Sequence, residues 1–354
     1  MKIPETIIAL VKMRVAMAHD YDDIRVETME VPQPGPGEAL VKIHALGVCM
    51  GDVTPWYVHK KCPIVIGHEP TGEIVQLGEG VSKFKVGDRV YIHHHAPCMK
   101  CRHCQNGNFV MCQTWRNSKL IPGGAAEYCL VPANNLDKDT LILPDSMSYA
   151  EGTLIEPLAC VVRAYKRARL IPGDTVAIMG LGVMGQMMAV LAKYMGASKI
   201  IASDKVPFRM EHGLKLGVDK VVDYTKESFP EAVFAETEQK GADIVMVCPT
   251  YPEAMQEGVR CAGRSSRVLL FMGPKPGTML SVDMNKIYFD EIDLISSYSC
   301  GPTETREARW LINHGVSTAE QMITHHFPLE KINDAVALSR QAQNSLKIII
   351  DINN

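Results

Sequence analysis

The chain has no surplus of charge. Its 37 Lys and Arg nearly balance 40 Asp and Glu, leaving a formal net charge of −3. That excludes the basic footprint expected of a nucleic-acid or anionic-membrane binder. A long apolar leader is not expected either. The first twenty residues, MKIPETIIALVKMRVAMAHD, offer only a short apolar run before Lys12 and Arg14, too short for a signal-peptide core. The longest uncharged stretch, Thr175 to Ala192, approaches the length of a membrane span but is broken by Gly180, Gly182, Gly185 and Gln186. No internal repeat and no low-complexity segment occurs. The chain has 354 residues, 46% hydrophobic and 22% charged, which suits two globular domains of ordinary size.

The run CMKCRHCQNGNFVMC holds Cys98, Cys101, Cys104 and Cys112. The spacing C-x2-C-x2-C-x7-C lets four thiolates converge on one tetrahedral ion, and zinc is the natural occupant, with Zn–S about 2.3 Å. So short a lobe buries little apolar surface, so metal would hold it together. Disulfides are the alternative, but nothing else in the chain looks secreted. An iron–sulfur cluster would use a different last spacer. The scattered Cys62, Cys129, Cys160, Cys248, Cys261 and Cys300 fit a reducing cytoplasm.

The first 150 residues carry β signals. VETMEVPQPGPGEALVKIHALGVC reads as strand, turn, strand; GEIVQLGEGV, KFKVGDRVYI and AEYCLVPANNL continue the pattern. From about Tyr149 the texture changes. MSYAEGTLIEPLACVVRAYKRARL reads as one helix, and apolar strands then alternate with helices from TVAIMG to SRVLLFMG. That alternation predicts an α/β domain with a parallel sheet covered on both faces. EIDLISSYS gives one more strand, followed by two helical stretches and a final strand, LKIIIDI.

Gly180, Gly182 and Gly185 form a G-x-G-x-x-G with Val183 and Met184 inside it. A strand precedes it, a helix follows, and Asp204 ends the next strand nineteen residues past Gly185. Gly180 permits the tight turn, Gly182 lets backbone approach a pyrophosphate, and Gly185 lets helix pack on sheet. The phosphates would sit on the helix N-terminus. The Asp204 carboxylate is expected to accept from both ribose hydroxyls of NAD and to repel a 2′-phosphate. Lys205 and Arg209 keep NADP as an alternative.

Upstream lie Cys49 in GVCMGDV, His68 and Glu69 in IVIGHEPTGEIV, and Glu156 in TLIEPLAC. One thiolate, one imidazole and one or two carboxylates make an open, mixed zinc site of the catalytic type. Singly, each has a plain structural reading.

The ordered set GHEPTGEIVQLGEGV, KVGDRV, the four-cysteine run, PGGAAEY, IEPLA and GLGVMG resembles the zinc-dependent medium-chain alcohol dehydrogenases, in the branch with sorbitol and threonine dehydrogenases. The resemblance covers nearly the whole chain. It implies a β-rich GroES-like catalytic domain interrupted by a Rossmann doubly wound parallel sheet. The expected boundaries are 1–155 for the catalytic domain, with a structural zinc lobe at about 95–115; 156–297 for the NAD-binding domain; and 298–354 for the return to the catalytic domain. It matches Cys49, His68 and Glu69 to the catalytic zinc positions. Glu156 matches a place held by glutamate in the polyol branch and by cysteine in liver-type enzymes. It matches the four cysteines to a structural zinc, giving two Zn per chain. A homotetramer or homodimer is implied, with EIDLISSYS contributing.

One departure stands out. Where the family has Ser or Thr two residues after the catalytic cysteine, this chain has Gly51; where a relay histidine is frequent, it has Thr54. The usual proton relay is missing, and a water chain is its substitute. A similar Cys-x-Gly-Asp occurs in sequences resembling erythritol and threitol dehydrogenases, which points toward polyols. His93, His94 and His95 read as strand-end residues rather than ligands, because both metal sites are already complete.

The expected function is therefore zinc-dependent, NAD-linked oxidation of a secondary alcohol, a polyol or sugar-like compound, to a ketone. The runner-up is threonine-type oxidation of a β-hydroxy amino acid. The rival class is a zinc-binding interaction module. The expected partner is a small-molecule alcohol, with no nucleic acid, no membrane and a cytoplasmic setting.

Overall fold

The computed structural model describes residues 12–353, so the amino-terminal apolar run before Lys12 lies outside the described residues. The chain divides into two compact units, Met1–Ala159 with Cys300–Asn354, and Cys160–Ser299.

The first unit is built on two sheets. A small antiparallel sheet runs in the order Asp23–Glu30, Lys12–Asp20, Ile64–Val65. The larger sheet runs Ile323–Pro328, Lys347–Asp351, Ala39–Gly47, Pro70–Leu77, Arg89–Ile92, Thr140–Ile142, with Tyr128–Val131 also pairing Ala39–Lys42. Its pairings are antiparallel except the first, which is parallel. Val15, Leu40, Ile43, Ile74, Val90, Ile348 and Ile350 from both sheets join one shared core. Each such fully buried aliphatic side chain stabilises the unit by roughly 1.5–3 kcal/mol.

The second unit has one parallel sheet in the order Lys220–Asp223, Lys199–Asp204, Thr175–Met179, Ala242–Val247, Ala262–Leu270, Asp293–Ser296. Val176–Ile178 and Ile244–Val247 are fully buried, as strands covered on both faces must be. The order reverses between Thr175–Met179 and Ala242–Val247. In open sheets of this kind a ligand binds outside the carboxyl ends of the strands at that switch point. The uncharged stretch from Thr175 is thus a strand, a turn and the helix Val183–Tyr194. Among the described residues, no helix is long and apolar enough to cross a membrane.

Several local expectations change. The stretch from Tyr149 is two helices, Tyr149–Gly152 and Ile155–Ala168, because Ser148 and Glu151 form a complete capping box that starts a separate first turn. The end of AEYCLVPANNL is the helix Ala133–Asp139. ITHHFP is an edge strand despite its two histidines and proline, made by pairing with Lys347–Asp351.

Candidate active site and metal centres

The four-cysteine lobe comes together as its spacing predicts. All four sulfurs lie within 4.8 Å of one another. Cys98 Sγ and Cys104 Sγ are 4.0 Å apart, and Cys101 Sγ and Cys104 Sγ 3.6 Å. Ligands on a tetrahedron with 2.3 Å bonds are separated by ~3.8 Å, whereas a disulfide needs ~2.05 Å. The backbone helps to hold charge. Cys101 N–H donates to Cys98 Sγ at 3.3 Å and Cys98 N–H to Cys112 Sγ at 3.4 Å. Against burial, backbone N–H groups bring the Cys112 thiol down to about 6. The lobe leans on a small core of Phe109, Val110 and Trp115. The donor set and spacing fit zinc.

The open site is made where two strands of the larger sheet pair. Leu46 faces Pro70 in the Ala39–Gly47/Pro70–Leu77 register, so the residues beyond each strand end, Cys49 on one side and His68-Glu69 on the other, converge. Gly67 is required: its φ is +91°, and a Cβ there would meet the Leu46 side chain at 2.7 Å. The ligand atoms of Cys49, His68 and Glu69 lie within 4.8 Å of one another. Cys49 caps a short 3-10 turn, Met50–Val53, and its Sγ accepts from Gly51 N–H at 3.4 Å.

His68 Nδ1 is 2.9 Å from Asp52 Oδ1. That contact assigns the ring proton to Nδ1 and leaves Nε2 as the metal-facing nitrogen. Burial depresses His68, but Asp52 and the Cys49 sulfur outweigh it and raise its pKa well above the ordinary value.

Glu69 is buried against Lys347, itself buried, whose Nζ also donates to Val48 O at 3.2 Å. Burial and the nearby Glu156 push Glu69 up while Lys347 opposes them, and the net direction is upward. Room for this pair comes from Gly47, where a Cβ would sit 2.0 Å from Glu69 Oε2. At Gly51 a Cβ would meet Cys49 Sγ at 3.5 Å and His68 Cε1 at 3.9 Å, ordinary contacts, so the missing hydroxyl is not imposed by space. Thr54 Oγ1 donates to Met50 O at 2.7 Å.

Glu156, in the first turn of Ile155–Ala168, is 6% exposed, and its charge acts on Glu69 and Lys347. Its carboxylate lies within 4.8 Å of His93 Nε2 or Nδ1 and Cys300 Sγ, rather than forming part of the Cys49–His68–Glu69 group.

In the second unit the glycine turn has the expected geometry. Gly180 has φ +90°, and a Cβ on Gly185 would lie 1.9 Å from Gly180 O. Gly182 is the N-cap of Val183–Tyr194 and supplies no side-chain cap, leaving the first N–H groups for a ligand. A Cβ at Gly182 would meet only the Arg209 guanidinium, at 3.8 Å, and Arg209 Nε is buried without a hydrogen-bond partner. These features fit a pyrophosphate. Asp204 differs from expectation in one respect. Its Oδ2 accepts from Leu181 N–H at 2.7 Å, and its Oδ1 accepts from Lys205 N–H at 2.7 Å and Val206 N–H at 2.9 Å. The carboxylate is a staple of the turn as well as a candidate ribose acceptor.

Residues 35–144 match the family Alcohol dehydrogenase GroES-like domain, and residues 183–314 match Zinc-binding dehydrogenase. A sorbitol dehydrogenase of Bombyx mori is 32% identical, over 96% of this chain and 98% of its own. The chain belongs to the zinc-dependent medium-chain alcohol dehydrogenases. Within that family it is sorbitol/threonine dehydrogenase-like, an oxidoreductase acting on alcohols or polyols: an L-threonine 3-dehydrogenase of Pyrococcus abyssi is also 32% identical, over 95% of this chain and 96% of its own. Among solved structures, a zinc-binding dehydrogenase of Sinorhizobium meliloti 1021, bound to NADP, superposes with TM-score 0.86 at 26% identity, covering 96% of this chain and 99% of that one.

Sequence reasoning about this dehydrogenase missed Lys347, Gly47, Asp139 and the company of His93. Lys347 opens LKIIIDI and looks like an ordinary strand-edge lysine. Its burial follows from pairing far along the chain with the strand that ends at Gly47.

Proposed function

We propose that this dehydrogenase oxidises a secondary hydroxyl of a polyol or sugar-like compound to a ketone, with NAD as acceptor and one zinc at each of two sites. The observation that carries the reading is the contrast between them: Cys98, Cys101, Cys104 and Cys112 form a closed four-sulfur set, whereas Cys49, His68 and Glu69 leave a position open. Zinc held there would supply a Lewis acid for the substrate oxygen, and a bound nicotinamide would supply the hydride acceptor.

The chain's own residues do the rest. Asp52 orients His68. Lys347 holds Glu69. Gly180, Gly182, Val183, Met184, Gly185 and Arg209 cradle the dinucleotide, and Asp204 takes the ribose. Gly51 offers no hydroxyl to receive the substrate proton, so ordered water carries it outward. Gly51 also leaves room for a second substrate hydroxyl beside the metal. An apolar alcohol would leave polar groups there unpaired, at ~1–3 kcal/mol each. The exposed edge strand Asp293–Ser296, with Tyr288 and Phe289 nearby and exposed, suits a second copy in a homodimer or homotetramer. Eleven cysteines, none in a disulfide among the described residues, suit the cytoplasm.

The test is a matched series of 2-butanol, 2,3-butanediol, erythritol and threitol, followed by NADH absorbance. Diols and polyols should exceed 2-butanol by at least ~tenfold in kcat/KM, the equivalent of ~1.4 kcal/mol. Parity of 2-butanol with the diols would sink the polyol reading. Turnover of L-threonine alone would establish the second reading, for which a threonine dehydrogenase at 32% identity, equal to that of a sorbitol dehydrogenase, gives the motive.

A further inference from the structure

We propose that His93, Glu156 and Cys300 hold a third divalent ion, zinc by its donor set, in a site separate from the two already described. The ligand atoms of the three residues lie within 4.8 Å of one another, and the residues are 0%, 6% and 0% exposed. Cys300 Sγ is 3.8 Å from His93 Nε2. Two ligands on tetrahedral zinc, one sulfur at ~2.3 Å and one nitrogen at ~2.0 Å, are separated by ~3.6 Å, so little movement closes the site. A thiolate and a carboxylate bring two negative charges to a divalent cation, and the mixed S/N/O set suits a borderline-soft metal.

The second observation lies behind His93. Its Nδ1 is 2.6 Å from Asp139 Oδ2, and Asp139 is fully buried. Asp139 Oδ1 in turn accepts from Thr305 Oγ1 at 2.5 Å and faces the Arg306 guanidinium at 3.7 Å. This is the carboxylate–histidine arrangement that metal sites use to fix the ring and direct the other nitrogen at the ion. Trp115 Nε1 donates to Cys300 O at 3.2 Å and fixes that backbone.

The same atoms resemble a nucleophile, base and orienter, Cys300–His93–Asp139. Complete burial of Cys300 and His93 leaves no route for a substrate, so that chemistry does not apply. The role is structural. His93 directly follows the strand Arg89–Ile92; Glu156 lies four residues before Cys160, where the second unit begins; Cys300 is the first residue after it ends. An ion here pins the chain on the first-unit side of both crossings.

The experiment is metal analysis of the reduced, full-length protein after passage over chelating resin. Wild type should hold three zinc per chain. Cys300→Ala and Glu156→Gln should each remove one equivalent, and Cys49→Ala a different one, so that the Cys49→Ala/Cys300→Ala double variant loses two. Asp139→Asn keeps every donor and should weaken one zinc ~10–100-fold in competition with a chromophoric chelator. An unchanged count in Cys300→Ala, or loss in the double variant no greater than in Cys49→Ala alone, overturns the proposal. The count is independent of which alcohol is turned over, so failure of the polyol reading leaves it untouched.

Discussion

Lys347 and Glu69 form an ion pair sealed from solvent, with side chains 2% and 1% exposed, in the space left by the missing Cβ of Gly47. Burying two charges costs several kcal/mol per ion, and mutual attraction offsets this only while both partners are present. In the metal-free protein, Lys347→Met should therefore cost ~3–5 kcal/mol, and Glu69→Gln/Lys347→Met should recover most of it. Urea denaturation of the two variants checks this; equal stabilities would mean that the pair is not coupled.

Removing one thiolate from the closed lobe opens a site whose metal binding is coupled to folding. Cys101→Ser should lose one zinc and lower the melting temperature. His68→Ala should abolish turnover and leave melting less affected. If Cys101→Ser melts like wild type with its zinc count unchanged, the lobe is not a metal staple.

Two glycines of the dinucleotide turn should separate by phenotype. A Cβ at Gly185 runs into Gly180 O at 1.9 Å, so Gly185→Ala must distort the strand–helix packing and cost stability. At Gly182 the space is open, so Gly182→Ala should melt near wild type yet weaken NADH binding at least ~tenfold, because the added methyl occupies the approach of the pyrophosphate. Fluorescence titration with NADH beside a melting curve distinguishes them.

His95 offers a pH test. Its ring packs against Trp115, tilted, with centroids 3.9 Å apart, and burial, with His93, pushes it down to about 3. A depressed histidine binds fewer protons folded than unfolded. Its contribution is whole above the unfolded pKa of ~6.5 and is lost as pH falls toward 3. Stability should decline across that window by at most ~1.4 kcal/mol per pH unit for this group. His95→Phe should flatten the slope in urea titrations at stepped pH; an unchanged slope would reject the assignment.

Gly51→Ser should fold normally, since its Cβ meets only ordinary contacts. It should raise kcat/KM for 2-butanol relative to erythritol by supplying a hydroxyl to take the substrate proton. A variant that leaves the ratio unchanged would show that water suffices for both.

The legible features were those written in local spacing. Cys98 to Cys112 and Gly180 to Gly185 each declare a constraint within one short segment, and the apolar runs of the second unit have no competing pattern. His68 and Glu69 were legible only through the ordered set of motifs around them, since singly each has a plain structural reading. What escaped depends on pairing between distant segments. ITHHFP becomes a strand only by lying against Lys347–Asp351, and Lys347 is buried only because that strand lies against Ala39–Gly47. Asp139 and Cys300 gave no signal: one ends a short helix, the other looks like a stray thiol, and only the fold brings both to His93.

Asp204 shows how far the chain is open to redesign. Its carboxylate carries three main-chain N–H groups, two on its own loop and one on the glycine turn. The residue proposed to choose between cofactors is therefore also a fastener, and replacing it removes three main-chain hydrogen bonds. An engineer seeking NADP would do better to keep Asp204 and change the solvent side at Lys205, where charge can be added without unpicking the turn. Natural drift faces the same constraint, so preference should shift in this lineage by decoration around a fixed acid rather than by its replacement.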